Sequence, residues 1–129
     1  MKRLSIEEAQ AVARIGGQFI EITQNASFRF GRIPFTILID IFGEELNLPY
    51  NYSGVIAQNK DRYFLLIFPS YSIEGFKRMF AFKSDLACYI EPSYNVGYII
   101  RATLCNWITL QDMFELSEAD VSTYLLYIQ

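Results

Sequence analysis

Residues Tyr63-Phe64-Leu65-Leu66-Ile67-Phe68 form an unbroken run of apolar and aromatic side chains. In a strand, alternate residues face opposite sides of the sheet, so a run that is apolar at every position has no side to turn to water. This strand therefore belongs in the middle of a sheet, with other elements packed on both faces. The residues before it support that placement. From Tyr52 the pattern has a period of two, and residues 54–58 and 62–68 flank the short polar link Asn59-Lys60-Asp61, which reads as a β-hairpin. A chain of 129 residues buries roughly two-thirds of its unfolded surface on folding, enough for a core without metals or disulfides.

Helical patterns fall on either side of this strand region. Ser5-Ile6-Glu7-Glu8 has the form of a capping box, and Ile6, Ala9, Val12, Ala13, Gly16, Phe19 and Ile20 continue an apolar stripe. The spacing predicts a helix over 6–22, with Gly16-Gly17 as its weak point. A second helix is expected over 34–47. Phe35, Leu38, Ile39, Phe42 and Leu46 make one face, Thr36, Asp40, Gly43, Glu44 and Asn47 the other, and Pro34 suits a first turn. Asp40 then lies on the polar side, whereas a strand would set it beside Leu38 and Phe42.

Further strands are expected over 76–83, over 87–91 with Pro92 as the stop, and over 96–107. Thr109-x-x-Asp112 and Ser117-x-x-Asp120 are successive helix-start signals, which predict a short helical turn and then a terminal helix striped by Val121, Tyr124, Leu125 and Ile128. The chain reads as one α+β domain over residues 1–129: two N-terminal helices, an antiparallel sheet of about five strands, and a C-terminal helix packed on the sheet.

The composition narrows the chemistry. The chain contains no histidine, which removes Ser-His and Cys-His nucleophiles, His-ligated zinc and the commonest general base near neutral pH. Neither a phosphate-binding glycine loop nor a nucleophile elbow occurs. Cys88 and Cys105 lack metal-site spacing and read as reduced core thiols. No cofactor is expected. A net charge of −3 argues against a phosphate-binding protein. Arg29 and Arg32 interleave with Phe28 and Phe30, but the phenylalanines are expected to fill the core while the bases alternate outward, so direct nucleic-acid binding is not expected. In the start MKRLSIEEAQ, Glu7, Glu8 and Gln10 interrupt any apolar stretch behind the basic pair. The apolar runs are also too short to span a membrane, so the expectation is a soluble cytoplasmic protein.

The small net charge conceals polarity along the chain. Residues 33–59 carry only acids, Asp40, Glu44 and Glu45, and residues 102–129 carry Asp112, Glu115, Glu118 and Asp120 with no Lys or Arg. The helix dipole accounts for acids in a first turn, but it leaves unexplained the lack of any base after Arg101. An acidic surface with exposed tyrosines suits docking to a basic protein. Tyr50 and Tyr52 fall in an expected loop and Tyr124 and Tyr127 near the C-terminus, positions suited to anchoring a partner.

Leu48-Pro49-Tyr50 resembles the start of the Leu-Pro-x-x-Tyr element of a large bacterial immunity superfamily. The glycine-rich turn that follows that element is missing here and the second Tyr comes too soon, so no property is carried over. From the residues alone, the leading expectation is a small acidic inhibitor of the immunity or antitoxin kind that occludes the basic active site of a nuclease-like toxin. Its contacts would be Asp112, Glu115, Glu118, Asp120, Tyr124, Tyr127, Tyr50 and Tyr52. A second expectation is a small-molecule or acid-base site in an aromatic-lined cavity between helices and sheet, using Asp40, Arg101 or a buried Tyr. A third is an aromatic interface between copies of the chain.

Overall fold

A computed structural model describes residues 1–15, 18–19, 22, 26–33, 35–43, 52–69, 74, 76, 88–93, 97–102, 107–110 and 112–126. Its centre is an antiparallel five-stranded sheet in the order β1-β10-β6-β5-β4. The strands are β1 (Lys2–Arg3), β4 (Ser27–Arg32), β5 (Tyr52–Asn59), β6 (Arg62–Pro69) and β10 (Asp112–Leu116). The run that is apolar on both faces, β6, is the middle strand of the five. Phe64, Leu65, Leu66, Ile67 and Phe68 are all fully buried.

Each face of β6 serves a different core. Phe64, Leu66 and Phe68 join Val55, Ala57 and Met113 on one face, covered by Leu4 and by Ala9 and Val12 of α1 (Ile6–Ala13). Leu65 and Ile67 join Ile56, Phe114 and Leu116 on the other. That side is covered by Ile37, Leu38 and Phe42 of α2 (Phe35–Phe42) and by Val121 of α3 (Glu118–Tyr124). The chain is thus an α+β fold whose sheet carries helices on both faces.

The hairpin forms as the pattern predicts, with one adjustment. Asn59 pairs with Arg62, so the turn proper is Lys60-Asp61, and Lys60 takes the left-handed φ of 57° that such a tight turn requires. Both capping boxes are present. The Glu8 amide donates to Ser5 Oγ while Glu8 Oε1 accepts from the Ser5 amide, each at 3.2 Å. Ser117 and Asp120 repeat this arrangement at 3.3 and 3.2 Å.

Several expectations are corrected. The first helix stops at Ala13, and Arg14 and Ile15 of β2 (Arg14–Ile15) pair with Phe19 and Gln18 of β3 (Gln18–Phe19), bracketing the glycine pair that weakens the pattern. Helix α2 ends at Phe42, where Gly43 has a φ of 59°, a conformation glycine adopts freely and other residues resist. Residues 44–47 of the expected helix lie outside the described residues.

The segment 27–32, to which the periodicity assigned no element, is edge strand β4. Phe28 and Phe30 pack partly buried against the core while Arg29 between them is exposed, as expected; Arg32 is exposed too, but at the strand end and with the parity of the phenylalanines, so it does not follow the alternation. Of the strand expected over 76–83, Phe76 is helical, as is Glu74, and the remainder lies outside the described residues. Pro92 does not end its strand. It lies inside β7 (Cys88–Ser93), opposite Tyr98.

The long strand expected over 96–107 is divided into β8 (Gly97–Ala102) and β9 (Trp107–Leu110), which pair antiparallel with each other and, through β8, with β7 in a second sheet. In the fold, α1 lies against β7, and β9 lies near β6. Cys88 sits in β7 opposite Ala102, while Cys105 lies outside the described residues. No helix among the described residues is long and apolar enough to cross a membrane.

Candidate functional site

The four acids after Arg101 do not lie on one helix. Thr109-x-x-Asp112 starts no helical turn: Thr109 belongs to β9, and Asp112 and Glu115 belong to β10. In a strand these two positions face opposite ways, Asp112 with Phe114 toward α2 and α3, Glu115 with Met113 toward α1. Only Glu118 and Asp120 stand on a helix, in the first turn of α3, where they complement its dipole.

The bases missing from residues 102–129 come from other parts of the chain. The Arg3 guanidinium meets Asp112 at 3.1 Å and lies 5.6 Å from the Phe114 ring centroid and 6.0 Å from that of Phe42. On the other face, the Arg62 guanidinium grips both oxygens of Glu115 at 3.0–3.2 Å and lies 4.9 Å over the Phe64 ring. The Met1 ammonium meets Asp120 at 2.9 Å, and Lys2 Nζ meets Glu8 at 2.6 Å. Three of these pairs join residues 1–3 to acids on α1, β10 and α3, and together they place β1 at the edge of β10.

These contacts shift the acids in a consistent direction. The Lys2 hydrogen bond, then the Ser5 amide, holds the Glu8 carboxyl below its usual range. The N-terminal ammonium and Ser117 do the same for Asp120 against a smaller opposing effect of burial. A carboxyl with a depressed folded pKa contributes stability that is present above its unfolded value and is lost as pH falls through the folded one. Calorimetry from about pH 7 downward should therefore show a melting temperature that is level to about pH 5 and then declines. In the Asp120→Asn variant the decline should be shallower, because one of the titrating contacts is gone. An identical acid limb in the two proteins would contradict that assignment.

Two residues weighed from the sequence remain available on the α2–α3 side. Glu118 is exposed on α3 and Asp40 is exposed on α2, and neither has an ion-pair partner among the described residues. Asp40 thus takes the solvent-facing position that the helical pattern predicts. Tyr124, the last residue of α3, is partly buried against the α2–α3 core; burial raises its phenol pKa, and the charges of Asp120 and Asp40 raise it further. Ile39 and Leu126 are exposed apolar side chains, at 44% and 71%. The expected apolar face included Ile39, but the buried side of α2 runs through Ile37, Leu38, Ile41 and Phe42, which leaves Ile39 at the surface.

The expected loop anchors fare differently. Tyr52 is not in a loop. It opens β5, is buried, and packs its ring 6.3 Å from Phe42 under α2. Tyr50 and Tyr127 lie outside the described residues. Arg101 is in β8, opposite Tyr89 and Trp107. Among the described residues, no group of three or more His, Cys, Asp or Glu could hold a metal ion. Comparison with protein-family models, with curated proteins and with solved structures found no match.

Proposed function

We propose that this protein works by binding a basic protein partner through the surface of α2 and α3, as an inhibitor of the immunity or antitoxin kind that occludes a cationic, nuclease-like active site. The observation that carries this reading is the grouping on one side of the sheet of a partly buried tyrosine, Tyr124, with two exposed acids that have no ion-pair partner among the described residues, Asp40 on α2 and Glu118 on α3. The exposed Ile39 on α2 and Leu126, two residues past the end of α3, add apolar contact area. Tyrosine suits an anchor because it combines a large apolar area with a polar tip, and acids around it steer a basic surface into place. Asp112 and Glu115 support the fold through Arg3 and Arg62 and are not counted among the primary contacts.

The test is affinity capture of the tagged protein from its own cells at low and then high salt, followed by association kinetics with the purified basic protein that is retained. At low salt the Asp40→Asn/Glu118→Gln variant should associate about tenfold more slowly than the wild type, and the two should converge as salt rises. Equal low-salt association rates would remove the α2–α3 surface from the interface.

A further inference from the structure

We infer that β1 is a displaceable internal ligand of the β10 edge, and that an extended basic segment of the partner takes its place. This inference rests on the reading of the protein as a binder of a basic partner, and it adds how that partner is recognised.

The β10 edge already holds an extended segment. Lys2 and Arg3 pair with Glu115 and Phe114, and the Leu4 amide donates to the Met113 carbonyl at 2.9 Å. Being consecutive in a strand, the two bases go to opposite faces of the sheet. Lys2 meets Glu8 and feels the Glu115 charge, while Arg3 reaches Asp112 beside the Phe42 and Phe114 rings. The edge is therefore built to receive an extended backbone bearing two adjacent cations, one for the acids by α1 and one for the aromatic and acidic slot by α2. An Arg guanidinium suits that second position, since it can pair with a carboxylate while lying against rings.

The same geometry makes β1 easy to remove. It pairs with only two of the five residues of β10. Residues 1–3 are all exposed, whereas Leu4, the next residue, is 3% exposed in the core and Ser5 caps α1. A boundary between strap and core thus falls at Leu4, and lifting residues 1–3 uncovers no core side chain of their own. The ion pairs that hold it, Lys2–Glu8, Arg3–Asp112 and that of the Met1 ammonium with Asp120, are partly exposed, and pairs of that kind are individually weak. An incoming strand would repeat both cation contacts and the pairing with Phe114 and Glu115, and would continue along Leu116 beyond the end of β1; this is strand addition at a sheet edge. The slot it would fill adjoins the proposed surface, because Phe42 belongs to α2.

The probe is a fluorescent synthetic peptide, Thr-Val-Lys-Arg-Val-Thr-Val, with a Glu-Glu version as control, titrated against the full chain by anisotropy. A chain that is competent only while its strap is open has its affinity reduced by the open fraction, so the Lys2→Ala/Arg3→Ala variant should bind about tenfold or more tightly than the wild type. Adding Asp112→Asn should weaken binding again, and the Glu-Glu peptide should not bind. Equal affinity of wild type and Lys2→Ala/Arg3→Ala, or binding indifferent to Asp112→Asn, overturns the inference.

Amide exchange on the unaltered chain provides a check that needs no variant. The Glu115 amide, on the β10 edge that Lys2 covers, should exchange about 100-fold faster than the amides shared by β5 and β6, and faster still in high salt. Equal protection overturns the displaceable strap. A wild-type dimer that dissociates on Lys2→Ala/Arg3→Ala substitution would identify the occupant as a second copy and overturn the partner strand. If the peptide results fail while Asp40→Asn/Glu118→Gln still slows association with the partner, only the strap inference falls.

Discussion

Replacing Phe64 by Ala should destabilise the protein by about 3–5 kcal/mol, and replacing Leu65 by Ala by about 2–5 kcal/mol. Both side chains are fully buried in the middle strand, yet they are adjacent in sequence and belong to different cores. Phe64 fills the side covered by α1, where the Arg62 guanidinium also rests on its ring. Leu65 fills the side covered by α2 and α3. The backbone of β6 separates the two cavities, so the collapse of one does not relieve the other. The double variant should lose the sum of the two single losses to within about 0.5 kcal/mol. Urea denaturation measures this: a loss of about 4 kcal/mol lowers the midpoint by roughly 2 M when m is about 2 kcal/mol/M. A double variant no worse than either single one would mean that the two faces unfold as one loosely packed layer.

Truncating Phe76 should cost about as much, roughly 3–5 kcal/mol for Phe76→Ala. Its ring is fully buried and stacks on Phe68 at 5.5 Å with the planes 8° apart. It also meets Phe28 at 6.0 Å and Phe30 at 5.7 Å, edge-on at 73° and 68°. These are geometries that aromatic pairs favour, each adding about 0.5–1.5 kcal/mol beyond area burial. Phe76 therefore ties edge strand β4, through Phe28 and Phe30, to central strand β6, through Phe68. Its loss should loosen β4 more than β10. Hydrogen exchange should show the amides of β4 losing protection while those shared by β6 and β10 change little. Phe76→Leu, which keeps apolar bulk but no ring, should fall between wild type and Phe76→Ala. Uniform loss of protection across the sheet would mean that Phe76 supports the whole fold rather than its edge.

Much of the architecture was legible wherever the deciding interactions are local. The Ser5-x-x-Glu8 and Ser117-x-x-Asp120 boxes span four residues and form as read. The hairpin between β5 and β6 needs only its alternating flanks and a polar link. Asp40 is exposed because the period of α2 puts it opposite Leu38 and Phe42, a matter of helix geometry alone.

The misreadings share a different character. The pattern over 6–22 suits a helix at most positions, and the chain instead folds back after Ala13 as β2 and β3. Thr109-x-x-Asp112 has the letters of a helix start, but a β-branched Thr suits a strand equally well, and here it lies in β9. Phe76, read as the first residue of a strand, is helical beneath β4 because three phenylalanines from β4 and β6 surround it. In each case two local conformations were close in energy and long-range packing selected one.

The acids show most clearly where local information ends. The sequence alone determined that residues 102–129 carry four negative charges and no base, and that β6, apolar on both faces, must be enclosed. Only the tertiary structure decided which cations meet those acids. Arg3 reaches Asp112 across 109 positions of sequence, and Arg62 reaches Glu115 across 53. Apolar periodicity and caps are set by torsion angles and neighbours a few residues apart, so they can be read from order alone. An ion pair between distant segments depends on which strands become neighbours in the sheet, and that is chosen by the packing of two cores that draw on residues from Leu4 to Val121.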